Sequence, residues 1–209
     1  LLTFILNLQG VRQIAAGRRD TGIRWLFAGG LSYGASIMLI AQIYHLGEHF
    51  PDGVFWWALG VLPMALLTRS NLLHQLQLGL AIIWLFSEAD YGLAWLFPFF
   101  AGAAVWQMVR HQPSRTLLIM SLFGTVFWAQ FAFSTWINSR SLWYFNTPHI
   151  VMHTALGMLL FACSQRMSVT DQPWWREAGA WLQQWLLRGA MLVLLLFSFA
   201  DVWDGFISH

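Results

Sequence analysis

Histidine and carboxylate side chains lie close together at two points of the chain, where they could bind a cation, a proton or a polar group. His149 and His153 are four residues apart and would share one face of a helix. Neutral imidazole is a common metal ligand, and the start of a helix favours the neutral form. His45, Glu48 and His49 form the second group, at the end of an apolar run. The pattern predicts a site for a divalent cation, a proton path or a polar substrate group.

The alternative is that these side chains lie at solvated ends of helices and have no specific function. Two histidines make an incomplete metal site without a third ligand, so the alternative is favoured over metal binding. Ionisable groups inside membrane helices tend to be functional, and His153, about one turn inside its helix, is the best single candidate. A divalent cation is the one cofactor that this pattern suggests, with His149 and His153 as its candidate ligands.

Further polar residues and two prolines interrupt the apolar runs. The polar residues could line a conduit, although hydrogen bonding between helices is their commoner role; they are Ser32, Ser36, Gln42, Ser121, Thr125 and Gln130. Pro63 and Pro98 are each predicted to lie within a helix and to kink it.

The composition requires a lipid environment for most of the chain. Hydrophobic residues make up 58% of the 209 residues and charged residues only 10%, which no ordinary soluble surface accommodates. The 14 Trp and 17 Phe suit membrane interfaces and hydrocarbon. The chain contains no Lys, and its arginines are too scattered for a nucleic-acid-binding surface, so no nucleic-acid partner is expected.

A spanning helix needs roughly 17 to 25 mostly apolar residues, and the chain contains about eight runs that approach this length. The runs cover about 1–14, 23–46, 53–68, 71–87, 91–109, 116–137, 147–164 and 189–207. The sequence therefore predicts an all-α, polytopic membrane bundle of about eight transmembrane helices, with residues 1–209 forming a single transmembrane domain.

Residues 174–188 have a different pattern, with Trp, Ala and Leu at helical spacing on one face and Arg, Glu and Gln elsewhere. Such a pattern is typical of an amphipathic helix that lies in the membrane interface. The alternative is that these residues are the polar end of the eighth span.

The arginines predict the orientation of the spans. With eight spans, ten arginines fall in loops on one side and only Arg140 on the other, so the first side is predicted to be cytoplasmic. Residues 1 and 209 would then both lie on the outer side. Because the chain begins at Leu1 without Met, we expect that the start of a longer protein is missing.

The segment Ala41-Gln42-Ile43-Tyr44-His45-Leu46, followed by Trp57-Ala58-Leu59, Pro63 and Arg69-Ser70, resembles the bacterial membrane proteins grouped as domain of unknown function 2157. The resemblance covers about residues 30–75, and beyond them only the succession of apolar runs agrees. It implies a location in the bacterial inner membrane and no particular activity. The motif residues to test first are Gln42, Tyr44, His45 and Arg69.

Two classes of function are consistent with these patterns. The first is a transporter, channel or flippase-like protein, with a substrate or proton path along Gln42, Tyr44, His45, Glu48, His49, Arg69, His149 and His153. The second is a non-transporting assembly, sensor or docking subunit whose partner is an envelope or membrane protein. An enzyme is less favoured, because no catalytic constellation is recognisable. Membrane lipid is the partner common to all three classes.

Overall fold

The computed structural model describes residues 1–43, 50–137, 142–143 and 147–198, and within these ranges the chain is helical without any strand. The predicted all-α fold is therefore confirmed. The helices are α1 (Leu2–Ala15), α2 (Arg19–Ile43), α3 (Phe50–Thr68), α4 (Asn71–Glu88), α5 (Phe97–Arg110), α6 (Arg115–Trp136), α7 (Thr147–Ser168) and α8 (Pro173–Phe197). The chain divides into two compact units, residues 1–132 (unit 1) and residues 133–209 (unit 2), with the boundary inside α6.

Four of the helices in the described ranges are long and apolar enough to cross a membrane: α2, residues 51–68 of α3, α6 and α7. The predicted count of eight transmembrane helices is not confirmed. With 14 residues each, α1 and α5 would be about 21 Å long, which is shorter than a hydrocarbon core of about 30 Å. In α4, a His and two Gln occupy the second turn and reduce its apolar character.

The two prolines occupy different positions in their helices. Pro63 lies inside α3, as predicted. Pro98 does not lie in the middle of a helix, because α5 begins at Phe97 and residues 91–96 precede it. A proline in the first turn removes only an N–H that has no partner within the helix, so the predicted kink at Pro98 is wrong.

Unit 2 contains one long helix where two segments were predicted. α8 continues without interruption from Pro173 to Phe197, so residues 174–188 and the apolar residues after them form a single element. Ala178 and Leu182 are buried, whereas Trp181 and Trp185 are exposed. The placement of this segment at the membrane interface stays a prediction, as does a single transmembrane domain for the whole chain.

Small residues allow the first three helices of unit 1 to pack closely. A Cβ atom on Gly10 of α1 would lie 2.7 Å from the Leu26 side chain of α2. The Trp57 ring of α3 lies directly against Gly34, and its Nε1 donates a 2.8 Å hydrogen bond to the carbonyl oxygen of Gly30. Glycines at such contacts let neighbouring helices approach each other, as is typical within membranes.

Hydrogen bonds bring three loop regions to the same end of unit 1. Arg19, at the start of α2, donates a 2.8 Å hydrogen bond to the carbonyl oxygen of Thr68, at the end of α3. Gln75 in α4 donates to Ser114, just before α6, at 3.4 Å. Unit 1 contains seven arginines, and all lie in or near the α1–α2, α3–α4 and α5–α6 connections at this end. We call it the arginine end.

Candidate functional site

The structure describes only some of the residues of the predicted substrate or proton path. Tyr44, His45, Glu48 and His49 lie outside the described residues. Gln42 is exposed at the end of α2. Arg69 is exposed in the α3–α4 turn. This turn lies at the opposite end of unit 1 from Gln42, because Arg19 at the start of α2 donates to Thr68 at the end of α3. The structure therefore does not bring Gln42 and Arg69 together.

His149 and His153 both lie in α7 of unit 2, four residues apart as predicted. His149 is fully buried, and its Nε2 lies 2.8 Å from Ser134 Oγ at the end of α6. The ring also packs edge-on against Phe133, with 5.2 Å between centroids. His153 Nδ1 donates to the carbonyl oxygen of His149 at 2.8 Å.

These contacts assign a structural role to at least one nitrogen of each ring. Metal binding through Nε2 of His149 would require the ring to exchange Ser134 for the metal. Among the described residues no three His, Cys, Asp or Glu side chains lie close enough to hold a metal ion. The metal site at His149 and His153 stays a prediction that these contacts do not test.

A different set of polar side chains, which was not among the predicted site residues, is buried in unit 1. His74 and Gln77 in α4 and Gln107 in α5 are each 0% exposed, and His111 follows the end of α5. We call these four residues the polar cluster. The signal that could have revealed part of the cluster is spacing, because residues 74 and 77 share one helix face within an apolar run.

The packing of α4 on α5 places the polar cluster near the arginine end. On α4 the buried face continues from Gln77 to Ala81 and Trp84, and on α5 it continues from Gln107 back to Ala104 and Phe100. Trp84 and Phe100 contact each other edge-on, with 6.1 Å between ring centroids. The α4–α5 interface is thus polar at the arginine end and aromatic beyond it.

The α3–α4 turn determines the orientation of His74. Its Nδ1 lies 2.9 Å from the carbonyl oxygen of Ser70, one turn earlier. A carbonyl oxygen can only accept, so Nδ1 carries a proton and donates it. Nε2 is buried and has no hydrogen-bond partner among the described residues.

Gln107 connects α5 to the same turn. Its Nε2 donates to the carbonyl oxygen of Arg69 at 2.9 Å and to Asn71 Oδ1 at 3.2 Å. The amide oxygen Oε1 of Gln107 is buried and lacks a partner in the part of the chain that the structure describes. The amide nitrogen therefore binds the turn, and the amide oxygen can still accept a hydrogen bond.

Gln77 and His111 add further unused hydrogen-bonding atoms. Both amide atoms of Gln77 are buried, and neither has a partner within the described ranges. The same holds for Nε2 of His111, whose ring packs edge-on against Trp106 with 4.9 Å between centroids. On α6, the buried hydroxyl of Ser121 is also unpartnered among these residues.

Burying a polar group without a hydrogen bond lowers the stability of the folded protein by about 1–3 kcal/mol for each neutral group. Most buried polar atoms in native proteins have a partner, and an exception calls for a ligand, ordered water or another functional reason. His74, Gln77 and Gln107 are fully buried, and each has polar atoms without a partner among the described residues, which is the pattern expected where a small polar molecule or ordered water binds. The polar cluster is therefore the candidate binding site of unit 1.

The comparisons with known proteins concern the first third of the chain. Residues 1–74 match the family model described as "Predicted membrane protein (DUF2157)", so the resemblance seen in the sequence is confirmed for this part. The matched segment includes α1, α2 and α3 and ends at His74; Gln77, Gln107 and His111 lie beyond it. No curated protein and no solved structure matches the chain.

Proposed function

We propose that this chain is a multi-pass protein of the bacterial inner membrane that binds a small polar solute at the polar cluster and carries it across the bilayer. The observation that carries the proposal is the complete burial of His74, Gln77 and Gln107 between apolar helices, with polar atoms that have no hydrogen-bond partner in the described ranges. Hydrocarbon supplies no hydrogen bonds, so such atoms cost more in a membrane than beside water. Polar groups retained there despite that cost tend to mark a substrate pathway.

The charge distribution supports an orientation for this site. The seven arginines of unit 1 lie at the arginine end, and arginine-rich loops face the cytoplasm in inner-membrane proteins. In this arrangement the polar cluster is close to the cytoplasmic surface. The aromatic part of the α4–α5 interface, which includes Trp84 and Phe100, separates it from the outer side.

Solute flux into proteoliposomes tests the proposal. Glycerol, ammonium and phosphate represent a neutral, a cationic and an anionic solute, and entry of each is compared between vesicles with the protein and empty vesicles. We expect faster entry of at least one solute through the wild-type protein. The variant Gln77→Leu should reduce that flux by about tenfold, the effect of losing a hydrogen bond worth about 1–1.5 kcal/mol.

Gln165→Leu is the matched control, since Gln165 is exposed on α7 in unit 2 and lies outside the polar cluster. It should leave the flux unchanged. The transport proposal is wrong if the wild-type protein carries none of the three solutes, or if Gln77→Leu and Gln165→Leu vesicles have equal flux.

A further inference from the structure

We propose that the ligand of the polar cluster is a neutral molecule that donates at least two hydrogen bonds, such as a small polyol or urea, and that it is not an anion. The inference rests on the proposed function, because it concerns the same site. It follows from the direction of the hydrogen bonds that the cluster residues already make, which determines whether each remaining atom can donate or accept.

His74 offers an acceptor. Its Nδ1 proton is directed to the Ser70 carbonyl oxygen, 2.9 Å away. In the neutral imidazole the other nitrogen then has a lone pair and no proton. The buried Nε2 of His74 therefore accepts a hydrogen bond from whatever occupies the site.

Gln107 offers a second acceptor. Oxygen and nitrogen of an amide are assigned from the hydrogen-bond network, and here the carbonyl oxygen of Arg69 requires the amide NH₂ on its side. The 2.9 Å bond from Nε2 to Arg69 thus directs Oε1 of Gln107 away from the turn. A group that meets this buried oxygen favourably has to donate.

Gln77 can bind either a hydrogen-bond donor or an acceptor, because both its Nε2 and its Oε1 are unused in the described part of the chain. A ligand hydroxyl both donates and accepts, as does a urea-like amide through its separate atoms. Molecules with several such groups offer a suitable partner to each of His74, Gln77 and Gln107. A phosphate or carboxylate oxygen would instead face the two acceptors.

The charges around the cluster agree with a neutral ligand. The buried polar side chains of the described residues comprise Ser, His and Gln, with no Arg, Asp or Glu among them. The arginines nearest in sequence, Arg69 and Arg110, are both exposed. Inside an apolar interface, an ion would lose its hydration without gaining an opposite charge, a cost of several kcal/mol.

Imidazole nitrogen resonances offer a direct test. The full chain, labelled with ¹⁵N in its histidines, is placed in lipid nanodiscs, and the His74 signals are identified by their loss in His74→Phe. Glycerol, urea and inorganic phosphate are the probes. We expect Nε2 of His74 to be unprotonated and its signal to shift saturably with glycerol or urea, but not with phosphate.

Gln77→Leu should weaken the glycerol or urea response by about tenfold, and Gln165→Leu should preserve it. A saturable response to phosphate would overturn the inference. So would a protonated Nε2, or no response to any of the three probes, which would indicate that the cluster holds ordered water only.

The binding experiment and the flux experiment can each refute one proposal without refuting the other. Binding of glycerol or urea without flux would refute transport and leave the ligand class intact. Phosphate flux that depends on Gln77 would support transport and refute the ligand class.

Discussion

Gln107 in α5 donates a 2.9 Å hydrogen bond from its side-chain nitrogen to the carbonyl oxygen of Arg69, in the turn between α3 and α4. Arg69 has a φ of 50°, a left-handed conformation that costs a non-glycine residue about 1–2 kcal/mol. The carbonyl of Arg69 lies in the turn between α3 and α4, and the bond from Gln107 gives this carbonyl a hydrogen-bond partner. A single buried side chain thus joins three helices at the arginine end.

Replacing Gln107 should destabilise the protein. Gln107→Leu removes the donor for both the Arg69 carbonyl and Asn71 Oδ1, and we expect a loss of about 1–3 kcal/mol. The apparent midpoint of thermal unfolding in detergent would measure it, with Gln165→Leu as the exposed control. An unchanged midpoint for Gln107→Leu would show that the turn does not depend on this bond.

Replacing Gln77 should have the opposite effect on stability. Gln77 is as buried as Gln107 but has no partner for either amide atom within the described residues. Leu fills a similar volume without the desolvation cost, so Gln77→Leu is expected to stabilise the free protein by about 1–3 kcal/mol. The same unfolding assay, without added solute, would measure the gain. A lower midpoint would indicate that the Gln77 amide contributes bonds to the folded state.

The contact between Gly34 and Trp57 predicts a strong effect of a single methyl group. In Gly34→Ala the new Cβ would overlap the indole ring, which also donates to the Gly30 carbonyl oxygen. We expect a destabilisation of about 1–3 kcal/mol from overpacking, measured by thermal unfolding.

Gly102→Ala is the matched control for this substitution. Gly102 lies inside α5, and a Cβ built on it meets no atom within 4 Å. Ala at such a helix position should stabilise by about 0.5–1 kcal/mol. Equal effects of the two substitutions would mean that α2 and α3 do not pack as described.

The cytoplasmic orientation of the arginine end can be tested with a thiol reagent that does not cross membranes. Cys163 is exposed and is first replaced by Ser. New cysteines are then introduced as Gln112→Cys, at the arginine end, and Asp90→Cys, between α4 and α5; both positions are exposed. In intact cells we expect labelling at 90, with labelling at 112 only after permeabilisation. Labelling at 112 in intact cells, with none at 90, would reverse the orientation.

The Ser134–His149 contact should stabilise unit 2. Ser134→Ala removes the hydroxyl that lies 2.8 Å from the buried Nε2 of His149, and we expect a loss of about 1–3 kcal/mol. The control is Ser198→Ala, just after the end of α8, where the exposed residue's hydroxyl donates to the carbonyl oxygen of Leu195, three residues earlier. Thermal unfolding that does not distinguish the two variants would argue against a structural role of this contact.

The sequence by itself determined the helical elements and their membrane character. Long apolar runs separated by short polar turns predicted helices α1 to α7, and several ends agree within about one to four residues, as for α4 and α6. The two segments predicted at 174–188 and 189–207 were not separate helices, because α8 runs from Pro173 to Phe197. The alternation of arginine-bearing turns also predicted that the arginines of unit 1 collect at one end. These properties depend on residues near each other in the chain and on the solvent around them.

Only the tertiary structure decided which polar atoms are used and which are not. The sequence drew attention to His149 and His153 because of their spacing, yet the ring of His149 is engaged by Ser134, fifteen residues away. Gln77 and Gln107 were not selected, because a glutamine in an apolar run carries no sign of what it faces. Their different roles arise from α5 packing on α4, which brings Gln107 to the Arg69 carbonyl and leaves Gln77 facing a buried interface. A hydrogen bond needs two atoms within about 3 Å, and residues 30 or more positions apart reach that distance only when the helices pack.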